Sequence, residues 1–356
     1  MRRLLMVAVV LVIAVAGVLF VRGDVPCEAL GTQPACEVAL SPGPSEDTLD
    51  LVTIVDTDAF PPEQGQLRMT TVAVQDDLTF GAWLSGRSSN VIDIVPREQI
   101  YPPGADRDEV AEINAAAMAD SQLVATIAAL ERLGFELHPE GALVAGVTED
   151  AVTDELEIGD VIVAVDGEPV EESVDAVESV QAREPGDELV LEVDDDDGGR
   201  QVTVTLGASP EDPDVGFIGV LLTTELDLPV DIDIDAGVVG GPSAGMMFAL
   251  SIVELLEEGD LIDGRVVAGT GTLDRAGEVG AVGGVRQKLA AVTAGMDGPS
   301  ADVFLVPRGN LPEARDASVS DDILVVPIDT LDDAIGALED LADGREPAES
   351  ELLAAS

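Results

Sequence analysis

One stretch leaves the backbone little choice. Asp231-Ile232-Asp233-Ile234-Asp235 alternates acid and isoleucine, the period-two pattern of a strand with one dry face and one wet face. It runs into Ala236-Gly237-Val238-Val239-Gly240-Gly241-Pro242-Ser243-Ala244-Gly245, then into Met246-Met247-Phe248-Ala249-Leu250, which reads as a helix to about Glu257. A strand must therefore become a helix within a Gly-rich turn, with Ser243 near the helix N-terminus. There, unbonded N–H groups and the helix dipole favour developing negative charge. That suits a nucleophile beside an oxyanion site. Gly240 and Gly241 let the backbone come close to a bound chain. The plainer role for Ser243 is an N-cap. The alternating acids also mimic the opening of a calcium loop. Such a loop needs glycine where Ala236 stands and glutamate where Pro242 stands, so it is excluded.

Lys288 follows 45 residues after Ser243 and is the only lysine in the chain. It lies in Gly283-Gly284-Val285-Arg286-Gln287-Lys288-Leu289-Ala290-Ala291. A serine in a Gly-rich turn and one distant lysine point to a Ser–Lys dyad; the alternative is a lysine left by chance. Gly241 to Gly245 also fits the loose G-x-S-x-G elbow, but that site needs a later histidine. The single histidine, His138, precedes it and reads as a surface residue before Pro139. One histidine and two cysteines leave little from which to build a His-based triad or a zinc site. No metal and no cofactor are expected.

The formal net charge is −54, which repels phosphates, and no basic patch offsets it, so nucleic acid is excluded as a partner. A hydrated acidic shell suits high ionic strength. Salt tolerance is therefore expected, and activity indifferent to a salt series would remove that reading. Leu4 to Val21 is an unbroken apolar and small-residue run after Arg2 and Arg3. As a helix it reaches roughly 27 Å, about a bilayer core. The flanking arginines keep the N-terminus cytoplasmic and send the rest across. A cleaved signal peptide is the alternative, but no small-x-small site follows. Residues 1–22 are thus expected to be a single-pass membrane anchor with an extracytoplasmic remainder. Residues 23–49 read as a linker holding Cys27 and Cys36, which an oxidising compartment would pair.

From Asp50 the pattern turns strand-like at 51–55 and 67–74, with Trp83 in an apolar core segment at 80–84. Arg107 to Leu133 keeps a helical period, and Gly134 fits its C-terminal cap. Ala142 to Val147 and Val161 to Val165 read as strands, Ser173 to Ala182 as a short helix, and 188–193 with 201–206 as a hairpin. The hairpin's Asp194 to Asp197 is expected at an exposed tip rather than on a cation. Residues 343–356 read as a flexible acidic tail.

Leu156-x-x-Gly159-Asp160-x-Ile162-x-x-Val165-Asp166-Gly167, with the following helix and hairpin, resembles a PDZ domain over residues 134–208. The resemblance implies a groove where an extended peptide adds to an exposed sheet edge. Its walls would include Leu143, Val144 and Val147 on a strand and Val177 on the helix. Leu133-Gly134-Phe135 is a tempting carboxylate-binding loop but also reads as a helix end.

A second resemblance rests on Gly241-Pro242-Ser243-Ala244-Gly245, Gly269-Thr270-Gly271-Thr272-Leu273, and Gly277-x-Val279-x-x-Val282-Gly283-Gly284-x-x-x-Lys288-x-x-Ala291. In that order and spacing they look like the proteolytic domain of the Lon family. The whole chain is similar to bacterial membrane-anchored PDZ and Lon-like serine peptidases. Carried over, Ser243 is the nucleophile, Lys288 the general base and Thr270 the hydroxyl that orients the lysine. Met118-Ala119-Asp120-Ser121-Gln122 and Gly65 to Thr71 resemble the start of that domain. The expected architecture is α+β: residues 50–133 and 209–342 form one Lon-type peptidase domain, with the PDZ domain inserted. The chain departs from ATP-dependent relatives at Gly240, Thr272 and Arg286. Its one lysine follows Gln287, so it lacks the Gly-Lys-Ser/Thr of an ATP-binding loop. The expectation is an ATP-independent extracytoplasmic endopeptidase acting on proteins or peptides, and the family resemblance implies a homo-oligomer. A PDZ scaffold with little turnover is the alternative.

Overall fold

The computed structural model describes residues 36–102, 107–148, 150–194, 198–210, 212–317 and 319–355. The expected membrane segment 4–21, Cys27 and residues 195–197 of the hairpin tip lie outside them. Cys36 is half of a disulfide. The chain divides into two units, Met1–Gly134 with Val230–Ser356, and Phe135–Pro229.

The first unit opens with strands β1 (Glu37–Asp47), β2 (Val52–Ile54) and β3 (Gln66–Gln75), helix α1 (Phe80–Gly86), strand β4 (Asp93–Pro96) and helix α2 (Arg107–Arg132). β1 lies where the sequence suggests a linker. Its Ala39 and Leu40 pair with both β3 and β4, and the β3 register shifts between Pro42 and Ser45. The shift takes up the Pro-Gly-Pro segment, because proline is tolerated in a strand at a bulge. Trp83 on α1 is buried and donates from its indole N–H to the buried Glu37 carboxylate.

The second unit holds β5 (His138–Val147), β6 (Val161–Val165), β7 (Glu168–Pro169), α3 (Ser173–Gln181), β8 (Glu188–Asp194), β9 (Arg200–Thr205), β10 (Gly207–Ala208), β11 (Gly216–Phe217) and β12 (Val220–Asp227). Its main sheet runs β12-β5-β6-β8-β9. Alternate residues Leu189, Leu191, Val193, Val202 and Val204 enter one core. The compact unit runs on past residue 208 to Pro229, because β12 pairs with β5 along its whole length.

The first unit resumes with β13 (Ile232–Ile234), α4 (Gly245–Leu256), β14 (Val266–Gly269), β15 (Thr272–Leu273), β16 (Val279–Gly280), α5 (Val285–Thr293), β17 (Val303–Pro307), α6 (Leu311–Arg315), β18 (Ile323–Ile328), α7 (Leu331–Ala342) and β19 (Glu351–Leu353). The expected flexible tail contains β19, which pairs with β18 while Glu351 pairs with Arg315. Seven strands order as β19-β18-β17-β14-β3-β1-β4. β3, β14, β17 and β18 run parallel.

The strand period sorts the core into two layers. Val303 and Leu305 face α4 and α7, with Leu67, Met69 and Val326. Phe304 and Val306 face α5, with Ala268 and Val325. A parallel sheet buried on both faces explains why β17 reads as an unbroken apolar run. Helix α4, buried from Gly245 to Leu255, and helix α5 thus lie on opposite faces of one sheet.

Candidate active site

The site forms where β14 ends. Beyond Gly269 the chain leaves the sheet at Thr270. The Gly271 N–H donates to the Ser243 carbonyl at 2.9 Å, and the Met246 N–H donates to the Gly271 carbonyl at 3.3 Å. These bonds stitch the end of β14 to the turn before α4. In that turn Gly241 has φ +92°, open to glycine but strained for other residues, and its N–H donates to the Asn114 carbonyl at 2.8 Å. Ser121 Oγ donates to the Pro242 carbonyl at 3.2 Å. A Cβ on Gly240 would lie 2.9 Å from that of Asn114. The small residues of the turn therefore let α2 press directly against it.

From the other face, Gly284 in the left-handed region (φ +72°) starts α5, and a Cβ there would lie 2.6 Å from Val72 Cγ2. The helix carries Lys288 inward, 3% exposed. Its Nζ lies 2.8 Å from Ser243 Oγ and 2.7 Å from the fully buried Thr270 Oγ1. Thr270 Oγ1 donates in turn to the Ser243 carbonyl at 3.0 Å. The structure thus brings together Ser243, Lys288, Thr270 and Gly240.

Burial pushes the Lys288 amine down to about 8, and the negative charge of Glu313 opposes that shift. The sequence suggests an amine neutral near pH 7. The amine is lowered toward that value, with Glu313, from α6, working against the shift. The surroundings are apolar and hydroxyl-bearing. A cleft of about 380 Å³ opens on Ser243 and Lys288, walled by Thr70, Thr71, Val72, Met118 and Val239. Among the described residues that line it, Lys288 is the only charged one. Helix α2 and strand β3, far upstream in sequence, therefore complete the site. Ser121 lies in the Met118–Gln122 resemblance; Asn114 and Glu313 carry no sequence signal. Among the described residues, no group of three His, Cys, Asp or Glu side chains is arranged to hold a metal ion.

The second unit corrects the expected peptide groove. Leu143, Val144 and Val147 do not lie on a free edge, because β12 pairs with β5 from His138 to Val147. Val144 is fully buried beneath the sheet. The outer strand is β12, and α3, bearing the half-exposed Val177, packs beside it. The Ser173 N–H donates to Thr224 Oγ1 at 3.0 Å across that junction. A strand at the far end of the unit claimed the edge, which no local pattern in β5 could reveal.

Comparison with known proteins finds two family matches. Residues 130–206 match the PDZ domain family, and residues 224–339 match the Lon protease (S16) C-terminal proteolytic domain. A probable periplasmic serine endoprotease DegP-like from Ectopseudomonas mendocina is 38% identical over 84 residues, 23% of this chain and 18% of that protein. Its counterpart from Pseudomonas fulva is 39% identical over 84 residues, 23% and 17% of the two chains. The chain thus spans under a fifth of the length of these relatives, over the PDZ region. The crystal structure of the PDZ domain of an SdrC-like protein from Listeria monocytogenes is 24% identical, covers 23% of this chain and 87% of its own, and has a TM-score of 0.22. The chain thus carries a PDZ domain followed by a Lon protease (S16) C-terminal proteolytic domain.

Proposed function

We propose that the chain is an ATP-independent serine endopeptidase in which Ser243 is the nucleophile and Lys288 the general base. The observation that carries this is the 2.8 Å approach of a buried lysine to a serine in a cleft whose other described lining residues are uncharged. The hydrogen-bond directions support it. Thr270 spends its proton on the Ser243 carbonyl, so its oxygen accepts from Lys288. A neutral lysine held this way turns its lone pair to the serine hydroxyl. Lys288 takes the Ser243 proton, Oγ attacks the peptide carbonyl, and the oxyanion forms near the α4 N-terminus. The lysine then returns the proton to the leaving amine. Lys288 then takes a proton from water, the hydroxide attacks the acyl carbonyl, and the proton passes to Ser243 Oγ as the ester bond breaks.

In this reading the peptidase domain is built from residues on both sides of the PDZ domain, supported by the walls that β3 and α2 lend to the cleft. The PDZ domain selects substrate by adding an extended peptide along β12, beside α3. The segment 4–21 anchors the protein with its catalytic part extracytoplasmic. Retention of the full chain in the membrane fraction after a carbonate wash tests the anchor; release would remove it. For the chemistry, a serine-reactive phosphonate should label the wild type and not Ser243→Ala. Absence of labelling in the wild type would favour a PDZ scaffold instead.

A further inference from the structure

Ser243 and Lys288 come from opposite faces of the sheet, so their separation depends on how the first turn of α5 is held. The two residues before Lys288 share one partner. Arg286 Nη2 donates to Asp93 Oδ1 at 2.6 Å and to Oδ2 at 2.7 Å. Gln287 Nε2 donates to the same Oδ2 at 2.8 Å. Gln287 is fully buried, and its Oε1 has no hydrogen-bond partner. Asp93 is therefore the side chain that fixes this amide. It stands at the start of β4, outside the segment that matches the Lon proteolytic domain. The charge that reaches Lys288 comes from Glu313, not from Asp93.

We propose that Asp93 is a positioning residue: through Arg286 and Gln287 it sets the rotation and depth of α5 that bring Lys288 Nζ against Ser243 Oγ. The inference rests on the Ser243–Lys288 reading. It assigns the base-bearing helix a strap from the amino-terminal part of the chain. A displacement of about 1 Å in such a contact lowers turnover about 100-fold.

The test measures peptide turnover with the full-length chain and a fluorogenic unstructured peptide. Asp93→Asn keeps the shape and weakens the pairing; Asp93→Ala removes it. Both should lower kcat by about 10- to 100-fold. KM should stay within about twofold, and the acid limb of the pH profile should stay in place, because position rather than charge is lost. Asp93→Glu should recover part of the loss. The double variant Asp93→Arg, Arg286→Asp should exceed Asp93→Arg alone. An unchanged kcat would overturn the proposal. So would a fall in kcat matched by a fall in melting temperature, or one explained by a shifted acid limb. Ser243→Ala is assayed alongside: if it keeps turnover, the dyad reading itself fails, whatever Asp93 does.

Discussion

Two ionisable side chains are buried near opposite ends of one helix. Lys288 meets the serine that precedes α4, and Glu254 lies in the last turn of α4; they are 3% and 2% exposed. Burial is the largest influence on both. It moves the amine down to about 8 and the carboxyl up to about 7. Their partners differ. Lys288 has two hydroxyls and an open cleft. Glu254 Oε2 accepts from the Leu261 N–H, while Oε1 has no partner. The charges of Asp260 and Glu257 add to the upward push, and a helix C-terminus disfavours a carboxylate further. Burial alone perturbs a charge. Chemistry additionally needs a nucleophile in reach and room for a substrate, and only the Lys288 end has both.

The contrast breaks first at the dyad. Ser243→Ala and Lys288→Ala should each lower kcat/KM by about 1,000-fold or more while circular dichroism shows an unchanged fold. Residual turnover near wild type in either would dissolve the distinction. Thr270→Val removes the acceptor that steers the amine, and about a tenfold or greater loss of kcat is expected in steady-state assays.

The pH profile is a finer probe. Activity should rise with pH through an apparent pKa of about 8 as Lys288 loses its proton. Glu313→Gln removes the charge that holds the amine up. The limb should then move to lower pH, with a gain of a few-fold at pH 7. An unmoved limb would show that Glu313 does not act on the base.

Stability separates the two groups by sign. Glu254 has a folded value above its ordinary 4.5, so its contribution weakens as pH rises from about 4.5 to about 7. Lys288 has a folded value below 10.5, so its contribution improves as pH rises from about 8 to 10.5. Glu254→Gln should therefore raise the melting temperature by a few degrees above pH 7 and leave kcat unchanged. Thermal melts across that range give the answer; an unaltered pH dependence would mean Glu254 does not titrate there.

The strand, turn and helix around Ser243 were legible because alternation, glycines and an apolar run are local signals. The same holds for α2 and for the core of the second unit. β1 was hidden by Pro42 and Pro44, since only the β3 register reveals the bulge that accommodates them. The pairing of β12 with β5 and of β19 with β18 was hidden because strand pairing is a long-range choice: no local pattern says which strand each will flank. Glu254 and Asp93 looked like two more acids among 71. Their environments come from packing that no spacing encodes.

By itself, the sequence determined which residues could do chemistry. It offered one lysine, one histidine that precedes the Gly-rich turn, and a serine set at a helix start. Only the tertiary structure decided that Lys288, from one face of the sheet, meets Ser243, from the other, beyond the end of β14. Residue type and local backbone preference are carried by neighbours in the chain. Distance, burial and the resulting proton affinity are set by what folds against them.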